Sequence, residues 1–256
     1  MKVITFNLRY DKPDPGNNSW KWRRKAVATL ISRHQPAIVG TQEGQAHQLL
    51  DLHRLLPDYQ SLGVDRDGTG RGEHCAIFYD RRQFACLESG DFWLSGTPNV
   101  MGSVSPDWEN PVPRMATWAL FSSGDGRHRI ALFNTHLDYN SQKARELGAG
   151  LIRDRLATID IQNCLLLLTG DFNAEPESPT RQSFTRPLGN GVRLLDVLGH
   201  LAAKEQRTYH EFTGKAIAAV DTIYYDSRLH LKASKVHTAA IDNIWPSDHY
   251  PVIAEF

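Results

Sequence analysis

The sequence has few cysteines, no excess of either charge and no long apolar run. Its three cysteines, Cys75, Cys86 and Cys164, stand far apart in or beside apolar runs, which favours reduced structural thiols over disulfides or a zinc site. Lysine plus arginine and aspartate plus glutamate number 29 each, so the formal net charge of +0 gives no global basic field for polyanions. A nucleic-acid partner would therefore have to be bound locally, with Arg66, Arg71, Arg81 and Arg82 as candidates.

No apolar stretch is long enough to span a bilayer, so we expect no membrane span. Met1 leads directly into Lys2-Val-Ile-Thr-Phe, a strand-like run that differs from a secretory signal. Together with the reduced thiols, these features predict a cytoplasmic protein.

The 256 residues suffice for one large domain or two small ones. The chain shows no internal repeat, low-complexity tract or convincing linker, which predicts a single domain over 1–256. Many strand-like runs are consecutive and only a few helices intervene, which predicts two mixed sheets packed together with helices outside. Ser19 is expected to cap one helix and Asn140 or Ser141 another, and Arg23, Arg24 and Lys25 are expected on a solvated helix face.

Polar side chains stand where apolar strand-like runs end. The run from Cys164 stops at Asp171 and Asn173, which lie two apart and so share a face of an extended chain, while Gly170 permits close backbone approach. A simple Asx turn would fit that stretch alone equally well. The pattern recurs at Asn7, Glu43 and His136 and at the pair Asp248-His249, which predicts one site at a shared rim.

Carboxylates dominate this set. Glu43, Asp171 and Asp248 supply hard oxygen ligands without thiolates, which favours Mg²⁺, with Mn²⁺ as an alternative, and makes phosphoester hydrolysis the natural reaction. Ser247-Asp248-His249 names the residues of a hydrolytic triad, but consecutive residues face apart and no G-x-S-x-G is present. A two-carboxylate glycosidase would leave the asparagines and histidines without roles.

The ordered motifs resemble the endonuclease/exonuclease/phosphatase superfamily, which includes DNase I and exonuclease III. They are Thr5-Phe-Asn7, Thr41-Gln-Glu43, Asn134-Thr-His136-Leu-Asp138, Gly170-Asp171-Phe-Asn173, Asp221 and Ser247-Asp248-His249. Four further stretches look like those of a bacterial subgroup whose substrates are largely unassigned: Phe6-Asn-Leu-Arg-Tyr-Asp, Asn18-Ser-Trp with Arg23-Arg24, Phe92-Trp-Leu-Ser and Arg114-Met-Ala-Thr-Trp118.

The resemblance implies an α/β fold, a four-layer sandwich in which two mixed, mainly antiparallel sheets pack face to face with helices outside. It also implies one Mg²⁺ held chiefly by Glu43, with Asp248 close by and Asn7 orienting phosphate or metal-bound water. Asp171 would then position or deprotonate the attacking water, and Asn173 would hold a phosphate oxygen.

By the same resemblance His249 would donate to phosphate oxygens while Asp221 fixes its tautomer. His136 would stabilise or protonate the substrate near the leaving oxygen, and Glu73 would orient the His136 ring. Three further residues are candidates for contacting an anionic substrate: Arg114, Arg145 on a long helix, and Trp108 in an irregular loop.

The resulting hypothesis is a Mg²⁺-dependent phosphoester hydrolase of the phosphodiesterase or nuclease type. A phosphomonoesterase for an inositol or another small phosphorylated compound is the first alternative, and a non-catalytic binding module of the same fold is the second. The expected partner is a phosphoester substrate, whether nucleic acid, phosphorylated headgroup or small phosphodiester. No obligate protein partner is readable.

Overall fold

In a computed structural model, which describes residues 1–126 and 128–256, the chain forms two six-stranded sheets and four α-helices. The helices are α1 (Trp20–His34), α2 (Ala46–Leu55), α3 (Gln142–Ala157) and α4 (Pro179–Thr185). The strands are β1 (Lys2–Asn7), β2 (Ile38–Gln42), β3 (Tyr59–Leu62), β4 (Ile77–Asp80), β5 (Phe84–Trp93), β6 (Met115–Ser123), β7 (Arg129–His136), β8 (Leu165–Asp171), β9 (Leu194–Asp196), β10 (Asp221–Asp226), β11 (Ala233–Val236) and β12 (Val252–Glu255).

The first sheet has the order β11-β12-β1-β2-β4-β3, and the second has the order β5-β6-β7-β8-β10-β9. Neighbouring strands are antiparallel except for β1 with β2 and β7 with β8, which are parallel. The prediction of two mixed, mainly antiparallel sheets is confirmed.

Three apolar layers show how the sheets and helices stack. Between the sheets, Ile77 of the first faces Phe121 and Leu132 of the second. The outer face of the first sheet is covered by α1 and α2, and that of the second by α3 and α4. Because each sheet buries both of its faces, the molecule is a four-layer α/β sandwich, as expected.

A polar bridge joins the two sheets beneath one rim. The Asn134 amide donates to the carbonyl oxygens of Thr41 and Ala76 at 2.8 and 3.1 Å and accepts from Gln42 Nε2 at 2.7 Å. Gly40 makes room for the Asn134 amide, because a Cβ at position 40 would lie 2.6 Å from Asn134 Oδ1 and 2.1 Å from Thr169 Oγ1. The sheets are therefore held at a defined separation just below the strand ends.

The helix starts follow the sequence signals, but one helix face does not. Ser19 stands at the N-cap of α1 without a side-chain cap hydrogen bond in the described structure, whereas Ser141 caps α3 by accepting the Ala144 N–H at 3.0 Å. Lys25 is exposed and Arg24 half-buried, whereas the prediction of a solvated Arg23 is wrong.

The Arg23 side chain is fully buried because other chain segments cover the start of α1. Its guanidinium donates to the carbonyl oxygens of Leu8, Arg9, Asn18 and Pro246, and these backbone acceptors take the place of water. The segments after β1 and before Ser247 are therefore tied together.

In the described part of the chain, no helix combines the length and apolar character needed to cross a bilayer.

Candidate active site

The polar strand ends meet at one rim of the sandwich. The strands of each parallel pair, β1 with β2 and β7 with β8, end on the same side of their sheet. Asn7 lies opposite Gln42 at the ends of β1 and β2, so Glu43 follows directly beside Asn7. In the second sheet His136 lies opposite Asp171, and Asp171 opposite Asp221. The two sheets thus bring their polar ends together from opposite sides.

Between these ends lies a cleft of about 490 Å³, within the usual size range of small-molecule sites. Its walls carry most of the polar strand-end residues together with arginine and tyrosine side chains. The lining residues are Arg9, Tyr10, Glu43, Arg66, Glu73, Val112, Arg114, His136, Tyr139, Asp171, Asn173, Tyr209, Val220, Asp248 and His249.

Asn7 connects the two halves of the rim. Its Nδ2 donates to Glu43 Oε1 at 3.0 Å and to Asp171 Oδ2 at 2.9 Å, so one buried amide orients a carboxylate from each sheet. Its Oδ1 accepts the N–H of Arg9 at 2.9 Å. Because the amide nitrogen faces the carboxylates, Asn7 acts on the site chiefly by orienting Glu43 and Asp171.

Three rim residues adopt the left-handed backbone conformation that residues other than glycine seldom use. The φ angles are 57° at Arg9, 64° at Glu43 and 46° at Asn173. Glu43 is held by the Tyr10 N–H, which donates to its Oε2 at 3.0 Å. Such conformations carry a conformational cost and occur preferentially at functional sites.

Asp171 is almost fully buried at the centre of the rim. Burial, together with the nearby charge of Asp221, raises its pKa to about 7, although His249 opposes that shift. The Asn173 N–H donates to Asp171 Oδ1 at 2.9 Å, and the side-chain amide of Asn173 donates to the Leu137 carbonyl at 3.0 Å. The close approach predicted at Gly170 is present, because a Cβ there would lie 2.8 Å from the Thr135 carbonyl oxygen.

His249 and Asp221 form a buried pair, with Nδ1 of the ring 2.8 Å from Oδ2 of the carboxylate. Burial alone would lower the pKa of His249, but the charge and hydrogen bond of Asp221 raise it to about 10. The ring is therefore a cation whose Nε2 points toward Asp171, at 3.9 Å from Oδ2.

His136 lies on the other side of Asp171, with Nε2 at 3.6 Å from Oδ2 of the same carboxylate. Burial and the positive charges of Arg114 and Arg66 lower the pKa of His136 well below its usual range, so this ring is neutral. The two histidines thus differ in charge, because Asp221 outweighs the effect of burial at His249, whereas Arg114 and Arg66 add to the effect of burial at His136.

Glu73 lines the cleft but contacts a different residue from the one expected. Its carboxylate receives two hydrogen bonds from Arg66, at 2.8 and 2.9 Å, and among the described residues we find no hydrogen bond from it to His136. Burial, with Arg66 opposing, raises the pKa of Glu73 to about 7. Its predicted role of orienting His136 therefore has no contact to support it.

The donor chemistry around Glu43 and Asp248 fits a hard divalent cation. Burial raises the pKa of Asp248, and the nearby charge of Glu43 adds to this effect, so a cation between the two carboxylates would relieve their repulsion. Ligand atoms of Asp171, Asp221 and His249 also lie within 4.8 Å of one another. That second grouping is already explained by the His249–Asp221 hydrogen bond, so we favour the first.

Of the three predicted substrate contacts, only Arg114 lines the cleft. Arg145 donates to the Asp138 carbonyl at 2.9 Å and to Gln142 Oε1 at 2.9 Å, which holds it against the start of its own helix. Trp108 is buried, and its carbonyl accepts the Ser141 hydroxyl at 2.8 Å. Neither of these two side chains lines the cleft.

The Arg114 guanidinium is buried beside the cleft and forms an ion pair with Asp138. Its Nε lies 3.6 Å from Asp138 Oδ2, which is beyond hydrogen-bond distance. The guanidinium also lies over the Tyr139 ring, with Cζ 5.6 Å from the ring centroid. Across residues 1–126 and 128–256, Nε and Nη1 of Arg114 find no hydrogen-bond partner.

Sequence reasoning missed Arg9 and the three cleft tyrosines, Tyr10, Tyr139 and Tyr209. Arg9 lies two positions after Asn7, and that spacing was the available signal. For Tyr139 the signal was its place directly after the Asn134-Thr-His136-Leu-Asp138 motif. The Tyr209 ring lies 4.9 Å from that of His249, although 40 positions of sequence separate them.

The chain is similar to proteins of a known family. The model of the Endonuclease/Exonuclease/phosphatase family matches residues 4–249. A comparison with curated proteins found no match.

Solved structures resemble the whole chain. An endonuclease/exonuclease/phosphatase family protein from Bacteroides thetaiotaomicron is 31% identical with a TM-score of 0.88, and the alignment covers 99% of this chain and 96% of that one. The mannosyl-6-phosphatase of the same organism is also 31% identical, with a TM-score of 0.86 and coverage of 100% and 98%. At 16% identity, D. rerio TDP2 in complex with a single-strand DNA product shares the fold, with a TM-score of 0.74 and coverage of 99% and 97%.

Proposed function

The chain belongs to the endonuclease/exonuclease/phosphatase family, and from this premise we propose that it is a divalent-metal-dependent phosphoester hydrolase. The observation that carries the proposal is the convergence, in one cleft, of the Glu43 and Asp248 carboxylates with a charged and a neutral histidine. We propose Mg²⁺ as the metal, held by Glu43 and Asp248, with Mn²⁺ as the alternative. When bound, it would supply Lewis-acid stabilisation of phosphate oxygens.

The chain's own residues would act on the phosphate from defined sides. The charged His249, held by Asp221, would donate from Nε2 to a non-bridging phosphate oxygen. Asp171 lies beneath both histidines and would orient, and accept a proton from, the attacking water. The neutral His136 would donate a hydrogen bond to the leaving oxygen, and Asn173 would contact a further phosphate oxygen.

We propose a small phosphomonoester as the preferred substrate, ahead of a phosphodiester or a nucleic acid. The cleft of about 490 Å³ suits a compact ligand, and the chain as a whole carries a formal net charge of +0. A relative with 31% identity over nearly the whole chain is named a mannosyl-6-phosphatase, which supports the same order. Arg114 would contact an anionic oxygen of such a substrate from the cleft wall.

The test is an activity screen of the metal-stripped protein, with and without Mg²⁺ or Mn²⁺. The panel contains hexose phosphates, inositol phosphates, a chromogenic diester, RNA, and single-stranded and duplex DNA. We expect hydrolysis that requires the metal and is fastest for a phosphomonoester.

Glu43→Gln is the matched variant for this screen, because it keeps the size and the hydrogen bond to Asn7 while removing one charge. We expect it to lose activity by on the order of a hundredfold to a thousandfold. Undiminished metal-dependent activity in this variant would refute the proposed metal site. Hydrolysis that is fastest on DNA or RNA would reverse the order of substrates but keep the reaction class.

A further inference from the structure

The side chain of Arg9 lies beside one of the two proposed metal carboxylates. Its Nη1 is 3.4 Å from Asp248 Oδ2, and its Nε is 3.4 Å from Asp14 Oδ2. The Asp248 side chain is only 4% exposed, so its charge is shielded from water and depends on neighbouring groups. A guanidinium is always protonated in proteins, so Arg9 presents a fixed positive charge to Asp248.

The backbone of Arg9 is built into this position. Its N–H donates to Asn7 Oδ1 at 2.9 Å, and its carbonyl accepts from Arg23 Nη2 at 3.1 Å and from Gln48 Nε2 at 2.9 Å. These contacts hold a φ of 57° that an arginine would otherwise avoid. The fold therefore directs this cation to Asp248 rather than leaving it on a free surface loop.

A divalent cation between Glu43 and Asp248 would meet the Arg9 guanidinium at close range. Like charges a few ångströms apart repel strongly where water is partly excluded. Asp248 is therefore both the acid that Arg9 approaches and one of the two proposed metal ligands. One carboxylate thus has two prospective cationic partners.

We propose that Arg9 is an internal counter-cation that competes with the divalent metal for Asp248. The inference rests on the metal site of the proposed function. In the metal-free protein Arg9 limits the repulsion between the two carboxylates, and metal binding displaces its guanidinium into the cleft, which it already lines. Arg9 would therefore set the metal affinity of the site.

The test measures Mg²⁺ binding to the metal-stripped protein by isothermal titration calorimetry, without substrate. We expect Arg9→Gln and Arg9→Met to bind Mg²⁺ about tenfold more tightly than the parent protein, because a nearby positive charge has been removed. Arg9→Lys keeps the charge and should bind within about twofold of the parent. As a remote control, Arg24→Gln removes an arginine that pairs with Asp51 at 3.1 Å, and it should leave the affinity unchanged.

A second background tests whether Arg9 acts through Asp248. In Asp248→Asn the gain produced by Arg9→Gln should shrink to less than about twofold, since the shared carboxylate is gone. Thermal unfolding in chelator checks that each variant is folded, and the two uncharged variants at position 9 provide independent readings.

The outcomes separate this inference from the proposed function. Mg²⁺ binding by the parent protein with equal or weaker binding by Arg9→Gln and Arg9→Met would overturn the competition while keeping the metal site. The same holds if the gain persists in full in the Asp248→Asn background. Absence of Mg²⁺ and Mn²⁺ binding in the parent and in every variant would overturn both.

Discussion

Two buried arginines, Arg181 and Arg114, differ in how completely the protein satisfies them. Arg181 of α4 donates to the Tyr224 hydroxyl at 2.7 Å, to Asp196 at 2.6 Å and to the carbonyl oxygens of Ala219 and Ala174 at 3.0 and 3.3 Å. Arg114 borders the cleft, and two of its nitrogens find no hydrogen-bond partner in the described residues. Both side chains are at most about 6% exposed.

The difference separates a structural cation from one that is positioned for a ligand. A buried charge is costly unless its hydrogen bonds are made, so a fully bonded arginine contributes to the fold. An arginine that retains unmade bonds beside an open cleft can gain them from an anion that enters. Burial alone therefore does not tell the two roles apart, whereas the set of partners does.

Removing the satisfied arginine should have the largest effect. Arg181→Met leaves Asp196 as a half-buried charge without its partner and the Tyr224 hydroxyl without its donor. We expect the free energy of unfolding to fall by about 3–5 kcal/mol, measured by urea denaturation. The value of kcat at a temperature where the variant is folded should stay within about twofold, because Arg181 does not line the cleft.

Arg54→Gln is the control for this measurement, because Arg54 is 69% exposed and pairs with Asp51 at the surface. We expect it to change the free energy of unfolding by less than about 0.5 kcal/mol. If Arg181→Met were as stable as this control, Arg181 would not be needed for the fold. The contrast drawn between Arg181 and Arg114 would then fail.

Within the cleft, the partner of a charged group should matter for rate more than for folding. Asp221→Asn keeps the shape beside His249 but removes the charge that raises the pKa of the ring. We expect kcat to fall by on the order of a hundredfold, with KM changed much less. NMR titration of the ring should show its pKa lowered, since burial remains and the main opposing charge is gone. An unchanged kcat would indicate that the charge on His249 is not used.

The strand ends could be predicted from the sequence because each apolar run stops at a polar residue of defined type. Asn7, Glu43, His136 and Asp171 all appear at the rim where those patterns predicted them. The period of the pattern determines the face of a strand, and the parallel pairs then bring the ends together. Local sequence was therefore sufficient to predict where these four side chains lie.

Contacts made by loops could not be predicted in the same way. Arg23 follows the helical pattern of a solvated face, but residues 8–9 and 246 pass over α1 and help to bury it. Glu73 was expected beside His136, but its carboxylate instead accepts two hydrogen bonds from Arg66 of the same loop. Such choices depend on the three-dimensional path of irregular segments, which carries no periodic signal.

The smallest effect is expected at Arg114. Replacing Arg114 by methionine tests the comparison most sharply, because Arg181 receives the same substitution. Arg114→Met should raise KM for an anionic substrate by about tenfold while lowering the free energy of unfolding by clearly less than Arg181→Met does. The reason is that Nε and Nη1 of Arg114 make no hydrogen bond among the described residues, while Asp138 keeps the N–H groups of Asn140 and Ser141 on its Oδ1 at 2.9 and 2.7 Å. Arg114→Lys, which keeps the charge but loses the planar fork, should give an intermediate KM. A loss of stability as large as that of Arg181→Met would mean that the fold, and not a ligand, requires Arg114.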